Sequence, residues 1–238
     1  MRKRDPNSVV DAFQSAARTS LDYWSTLNGT TANQPLLLRR AIAKDAFFRL
    51  AVRWELFRSD WHIAAAARDT TQLRATFAEE VSKVLAGRPE LAEGRQYVHV
   101  AIPDHLSLEQ TRRLLDPAGM NVSLVSGAAG KDRWVQKSAA HLASPWAEKV
   151  RGVPPADRRL IELVESVRNV IAHESANSHR LLNSALLAVS DEDAPVFAAS
   201  SLRTSRALAV YLHASVLGSP RVVHFHVRLM QIAERLKV

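Results

Sequence analysis

The sequence predicts an all-α protein, a helical bundle with an irregular middle insertion, and three observations favour this fold class. Glycine is scarce, at 8 of 238 residues, whereas helix-favouring alanine, leucine and arginine are abundant. Apolar residues recur at helical spacing along most of the chain. Only two short stretches favour extended structure. With 47% hydrophobic residues the chain can bury a sizeable core, and we predict a single domain over residues 1–238.

The first part of the chain predicts three helices. Apolar periodicity indicates a helix from residue 8 to about residue 27, which ends at the turn-rich sequence NGTTANQP. A long helix follows over residues 35–68, because Pro35 suits a first-turn position, and its aromatic residues should supply much of the core. Asp69, Thr70 and Thr71 resemble a helix cap, which predicts a third helix to about residue 85.

The middle of the chain is less regular. One β-favouring run covers residues 97–102, and a second extended run lies within MNVSLVSGAAGKDRW, residues 120–134. The two runs either pair as a small hairpin or are both loops, and we favour loops because neither run is long. Between them, Ser107 and Gln110 predict a capping box at the start of a short helix.

Helical patterns resume after this middle insertion. Pro220 again suits a helix start. No internal repeat or low-complexity linker divides the chain. The predicted helices cover about residues 133–142, 155–174, 178–189, 194–217 and 220–237.

Composition limits the classes of function and location. The chain has no cysteine, which excludes disulfides, thiolate metal sites and a thiolate nucleophile, and which fits the cytoplasm. Asp5, Pro6 and Asp11 interrupt the N-terminus where an export signal needs an apolar run. No apolar stretch approaches the roughly 18 residues of a membrane span. We therefore expect a cytoplasmic protein with no membrane partner.

The net charge is strongly positive. Lys and Arg number 32 and Asp and Glu number 24, so 32 − 24 = +8. Excess positive charge favours polyanion partners such as RNA, because phosphate contacts release counterions. An arginine-rich proteome would give the same charge without nucleic-acid binding, and charge alone does not separate these interpretations.

The stretch ELVESVRNVIAHESANSHR, residues 162–180, contains the candidate site. On a helical wheel the apolar residues of the preceding helix form one stripe about 120° wide. Arg168 lies at one border of this stripe and His173 near the other, about 140° away. Asn169 precedes His173 by four residues and shares its face, with Ser166 on the same side.

These residue types suit phosphate and ribose chemistry. Histidine transfers protons near neutral pH, arginine offers a forked donor for a phosphate, and asparagine can orient either group. Together they would deprotonate a ribose 2′-hydroxyl and stabilise charge on the adjacent phosphate without a metal or other cofactor. The alternative is that Arg168 and His173 merely border an apolar stripe and Asn169 is solvated, because such spacing also occurs by chance.

The sequence RNVIAH, which contains Arg168, Asn169 and His173, resembles the signature of HEPN domains. The long early helix with Trp54 and Glu55, and the stretch MNVSLVSGAAGKDRW, are similar to the RiboL-PSP-HEPN branch of that family. The resemblance covers roughly residues 8–173. It implies an all-helical, metal-independent endoribonuclease that leaves a 2′,3′-cyclic phosphate and a 5′-hydroxyl.

The same resemblance implies biological partners. HEPN ribonucleases commonly belong to toxin–antitoxin or phage-defence systems, so an antitoxin or defence-system protein is an expected partner. Active members are usually homodimers in which two motifs face each other. Other HEPN domains are inactive, which leaves a catalytically silent RNA- or protein-binding module as the alternative function.

Other candidate residues fall outside this motif. Glu55, within an aromatic run, is either a solvated edge residue or a partner for a buried cation such as Arg168. His224 and His226 would share a face on a strand but not on a helix; we predict a helix and therefore no metal site. Three further histidines are interpreted as lone surface or core residues: His62, His141 and His213.

Overall fold

The computed structural model describes residues 5–88, 101–116 and 133–238 and confirms the all-α prediction. In the described ranges the chain forms helices and one minimal β-hairpin. The elements are α1 (Pro6–Thr30), α2 (Leu36–Arg68), α3 (Thr71–Ala86), α4 (Leu108–Leu115), α5 (Arg133–His141), α6 (Trp146–Arg151), α7 (Pro155–His173), α8 (Ala176–Leu187), α9 (Ala194–Phe197), α10 (Ser205–His213), β1 (Ser215–Val216), β2 (Ser219–Pro220) and α11 (Arg221–Glu234).

Helices α1 and α2 form the first hairpin of the bundle. The Asp5 side chain caps α1 by accepting a hydrogen bond from the Asn7 backbone N–H at 3.1 Å. Phe13 of α1 stacks on Phe57 of α2 at a ring distance of 4.6 Å and meets Trp54 edge-on at 5.4 Å. These aromatic contacts hold the two long helices together.

Helix α2 is the central element of the described fold. Nearly all residues of its C-terminal half are buried, as expected of a helix that is surrounded by others. It packs against α1, α4, α7, α10 and α11. Two side chains of this helix, Glu55 and Arg58, are charged although buried, and they face α7.

Local capping signals were confirmed in the middle of the chain. Ser107 and Gln110 form the expected capping box, with distances of 3.1 and 2.8 Å for the two reciprocal hydrogen bonds. The short helix α6 was not predicted. The hairpin considered for residues 97–102 and 120–134 falls on positions that lie largely outside the described residues.

The prediction of one helix over residues 194–217 is wrong, because the structure divides this segment into α9, α10 and β1. The Leu202 backbone N–H leaves the helical pattern to donate to the Asn183 Oδ1 at 2.9 Å. Thr204 then starts α10 by accepting from the Ala207 N–H at 3.1 Å. A tight turn with positive φ at Leu217 and Gly218, the backbone of a two-residue hairpin, joins β1 to β2.

In the described part of the chain, no helix is long and apolar enough to cross a membrane.

Candidate functional site

Helix α7 carries the candidate site at the borders of a well-buried apolar stripe. The wheel prediction is confirmed, because Leu163, Val167 and Val170 are fully buried. The helix ends at His173, since Glu174 takes a left-handed backbone conformation with φ of 45° and Ser175 caps the next helix. Arg168, Asn169 and His173 therefore occupy the last turns of α7.

Arg168 is held by two partners. Its Nη2 lies 3.3 Å from Oε2 of Glu55, and its Nη1 donates to Oδ1 of Asn169 at 2.9 Å. The Arg168 side chain is 25% exposed, and its buried Nε has no hydrogen-bond partner among the described residues. Arg168 is thus positioned by two partners while its side chain stays partly exposed to an incoming anion.

Glu55 is a buried partner of Arg168, and the interpretation of Glu55 as a solvated edge residue is wrong. The residue is 7% exposed. Burial raises the pKa of Glu55; the Arg168 charge lowers it, Glu165 raises it and Arg58 lowers it by smaller amounts. The ionised form of the Glu55 carboxyl is therefore less stable here than in water, despite its arginine partner.

A second ion pair lies beside the first. Arg58 of α2 pairs with Glu165 of α7, and the Arg58 side chain is only 3% exposed. On each helix a glutamate precedes an arginine by three residues, so the antiparallel helices match Glu55 with Arg168 and Arg58 with Glu165. We call these four residues the α2–α7 charge ladder.

Two tryptophans complete the environment of Arg58. Its guanidinium lies 5.8 Å from the Trp54 ring and 5.5 Å from the Trp134 ring, within cation–π range. Arg58 and Trp134 were not predicted from the sequence, and neither was the pairing of Glu165 with Arg58. The matching spacing of opposite charges, Glu55 with Arg58 and Glu165 with Arg168, is the signal that could have revealed the ladder.

His173 stands apart from the ladder. It is exposed, and the five-residue separation places it about 7.5 Å along the α7 axis and about 140° around it from Arg168. Asn169 connects the two regions, because it contacts Arg168 and lies one turn before His173. Within one chain the structure brings together Glu55, Arg168 and Asn169, but not Arg168 and His173.

Ser166 does not join this cluster. Its side chain is 5% exposed, and α7 geometry turns it about 160° away from Arg168. Among the described residues no hydrogen bond links Ser166 to Arg168, Asn169 or His173. The suggested supporting role for Ser166 therefore stays a prediction, with no hydrogen bond to the proposed site in the described chain.

The histidines outside the motif differ in part from the sequence interpretation. His62 and His141 are not lone residues, because Nε2 of His62 lies 3.2 Å from Nδ1 of His141. Burial, with smaller contributions from His141 and Lys137, lowers the pKa of His62 to about 3. Burial likewise lowers the pKa of His141 to about 4, with a contribution from Lys137. Both rings are therefore neutral at physiological pH.

His224 and His226 lie on helix α11, as predicted, and each ring has a backbone partner. Nε2 of His224 lies 2.8 Å from the Val216 carbonyl, and Nδ1 of His226 lies 2.8 Å from the Val222 carbonyl. Across the described ranges, no group of three or more His, Cys, Asp or Glu residues is arranged to hold a metal ion.

Comparison of the chain with protein-family models, with curated proteins and with solved structures finds no match. The candidate function therefore depends on the residues themselves.

Proposed function

We propose that this protein is a metal-independent endoribonuclease of the HEPN type and that the end of α7 is its active site. The observation that supports the proposal most directly is the geometry of Arg168. A half-buried arginine is fixed by Glu55 and Asn169, and its side chain is still 25% exposed. Positioned arginines of this kind bind phosphate as forked donors.

The proposed reaction is an internal transfer at phosphorus. His173 accepts the proton of a ribose 2′-hydroxyl, and the 2′-oxygen attacks the adjacent phosphorus. The bond from phosphorus to the 5′-oxygen of the next nucleotide breaks, and that oxygen takes up a proton. The products are a 2′,3′-cyclic phosphate and a 5′-hydroxyl. Arg168 stabilises the charge that builds on the phosphate, and Asn169 orients Arg168.

This chemistry favours a homodimer. Glu55 draws Arg168 toward α2, whereas His173 lies on another side of α7, so one helix does not aim both groups at one phosphate. A two-fold axis beside the end of α7 would bring Arg168 of one copy toward His173 of the other. The expected context remains a toxin or antiviral effector with an antitoxin or defence-system partner.

The alternative is a catalytically silent RNA- or protein-binding module, and the Glu55–Arg168 ion pair favours it, because this pair neutralises the arginine that would clamp phosphate. Incubation of the protein with total RNA in EDTA separates the two. The ribonuclease proposal expects cleavage that EDTA does not affect and that falls about 10²–10⁴-fold in His173→Ala. Full cleavage by folded His173→Ala, or none by the wild type, would contradict it.

A further inference from the structure

Helices α2 and α10, with the residue Arg203 before α10, carry a cluster of cations that have no acidic partner among the described residues. Residues 36–44 and 198–213 contain five lysines and arginines and no aspartate or glutamate. Lys44 of α2 donates from Nζ to the hydroxyl of Ser205 on α10 at 3.2 Å, a neutral partner. We call this set the α2–α10 cationic surface; its members are Arg39, Arg40, Lys44, Arg203 and Arg206.

The arginines at the start of α2 are unusual because one polar atom of each, the Nε, is buried without a partner in the described chain. The Nε atoms of Arg39 and Arg40, and Nε2 of the neighbouring His213, are inaccessible to solvent and have no hydrogen-bond partner among the described residues. Burial lowers the pKa of His213, and the charges of Arg39 and Arg40 lower it further, which places the three side chains in one positive field. Burying such unpaired groups costs stability, and no acidic side chain of the described residues offsets this cost for Arg39 and Arg40.

Many other lysines and arginines of the described chain have acidic partners. Arg49, one turn beyond Lys44 on the same helix, pairs with Asp45 at 2.8 Å, and Arg113 and Arg151 pair with glutamates. The α2–α10 cationic surface is therefore not an ordinary salt-bridged helix face. Its charge is available to an external anion.

The surface leads toward the candidate site. On α2, Lys44 lies about 20° around the helix from Glu55 and about 16 Å along it, and Arg40 lies about 60° and 22 Å away. Because α2 and α7 are antiparallel in the ladder, the N-terminal direction of α2 is the direction in which α7 ends at His173. The cations and His173 therefore lie toward the same end of the molecule.

A groove of about 460 Å³ adjoins the cations on α10. Arg206 and Val210 line it, and His213 lies one turn further on the same face. The rest of the lining is mostly apolar, and Tyr211 forms part of the wall. Such a groove suits a base, while the flanking cations suit phosphates.

We infer that the α2–α10 cationic surface binds the phosphodiester backbone of a single RNA strand and guides it toward Arg168 and His173. This inference rests on the proposed ribonuclease function for the identity of the polymer. A strip of roughly 20 Å with several separate cations fits a strand better than a single phosphate. The contacts are to the backbone and carry no sequence preference.

The test is binding of a fluorescent 2′-O-methyl RNA oligonucleotide, which has no 2′-hydroxyl and so cannot be cleaved. The variant R39Q/R40Q/K44Q is compared with R113Q/R151Q/K83Q, which also removes three positive charges, but from exposed ion pairs. Affinity is measured by anisotropy between 50 and 200 mM salt. Each phosphate contact on a single strand contributes about 0.7 to the salt slope.

The expected result is a salt slope about 2 smaller for R39Q/R40Q/K44Q than for the wild type, and an unchanged slope for the control. Over this salt range the wild type then loses about 20-fold more affinity than the variant. If R39Q/R40Q/K44Q does not fold, R203Q/R206Q, at two exposed positions, should reduce the slope by about 1.4. Equal slopes for all folded variants would overturn the inference.

Two further measurements separate this inference from the proposed function. With a cleavable RNA, R39Q/R40Q/K44Q should raise KM and leave kcat within about twofold, since uniform binding is lost. A wild type that binds RNA with the predicted slope but does not cleave would end the ribonuclease proposal and support the surface. Poly-glutamate that displaces RNA at equal charge concentration would make an acidic protein the occupant and overturn the inference.

Discussion

Removing Arg168 should cost much more stability than neutralising Glu55, although the two form one ion pair. In Arg168→Met, Glu55 stays buried and loses the attraction that offset its burial. Breaking a buried ion pair from one side costs roughly 3–5 kcal/mol. Because the Arg168 side chain is 25% exposed, water reaches this pair, and we expect a loss of about 1–3 kcal/mol in the free energy of unfolding.

Glu55→Gln has the same shape and keeps an oxygen that can accept from Arg168. It removes the cost of burying a carboxylate, so the expected change is within about 1 kcal/mol in either direction. The double variant E55Q/R168M should be more stable than Arg168→Met, because no buried charge is left unpaired. The assay is urea unfolding followed by circular dichroism at pH 7.

The pH dependence provides the second readout. The pKa of Glu55 is raised in the folded state, so the folded protein binds a proton more readily than the unfolded chain. Stability linked to Glu55 is therefore fully present below the unfolded value of 4.5 and is lost as pH rises through the folded pKa. Arg168→Met raises that pKa further, so its deficit should shrink between pH 7 and pH 5.

The exposed pair Arg151 and Glu148 is the matched control, with 60% and 57% of the side chains accessible. Arg151→Met and Glu148→Gln should each change the unfolding free energy by less than about 0.5 kcal/mol. If Glu55→Gln destabilises the protein as much as Arg168→Met, or if the double variant gains nothing, the account of Glu55 as a strained partner of Arg168 is wrong.

Three further predictions concern the assembly, the core and acid stability. Mixed Arg168→Ala and His173→Ala chains should regain cleavage that both parents lack; no recovery in verified heterodimers, or full activity of a strict monomer, would contradict the composite site. Arg58→Met removes a buried partner of Glu165 and two cation–π contacts. It should lower the free energy of unfolding, followed by thermal denaturation, by roughly 3–5 kcal/mol. An unchanged stability would show that the Arg58–Glu165 pair adds nothing. Burial lowers the pKa of His226 to about 4, so the stability contributed by the neutral ring is present above pH 6.5 and is lost as the pH falls toward 4. His226→Leu should therefore remove roughly 2 kcal/mol of the loss in unfolding free energy between pH 6.5 and pH 5. An unchanged dependence of stability on pH would count against this.

The sequence was sufficient for elements that depend on local signals. The periodicity of α1, α2 and α7 and the capping box at Ser107 involve residues only a few positions apart, and all were confirmed. The break between α9 and α10 was not predictable in this way. It depends on Asn183, which takes the Leu202 N–H from a position 19 residues earlier in the chain.

The same limit applies to the site. The pattern identified Arg168, Asn169 and Glu55, and the structure joins these three. The sequence pattern did not reveal that Arg58 and Glu165 form a second ion pair, since that pair depends on the register of α2 against α7. The His62–His141 contact links residues 79 apart and has no local sequence signal.

Ser166 lies outside the cluster because of its burial as well as its direction on α7. Ser166 shares a face of α7 with Asn169 on the helical wheel, yet packing encloses its side chain while Asn169 remains half-exposed. A wheel gives directions around one helix, whereas the neighbours that fill each direction come from the tertiary fold.

The proposed activity is cleavage of RNA through a ribose 2′-hydroxyl at the end of α7 without a metal. It is tested most directly by mass spectrometry of the fragments from a defined RNA oligonucleotide incubated with the wild-type protein in EDTA. We expect 5′ fragments that end in a 2′,3′-cyclic phosphate and 3′ fragments that begin with a 5′-hydroxyl, and we expect neither with His173→Ala. Fragments with 5′-phosphate and 3′-hydroxyl ends, or an intact oligonucleotide, would contradict it.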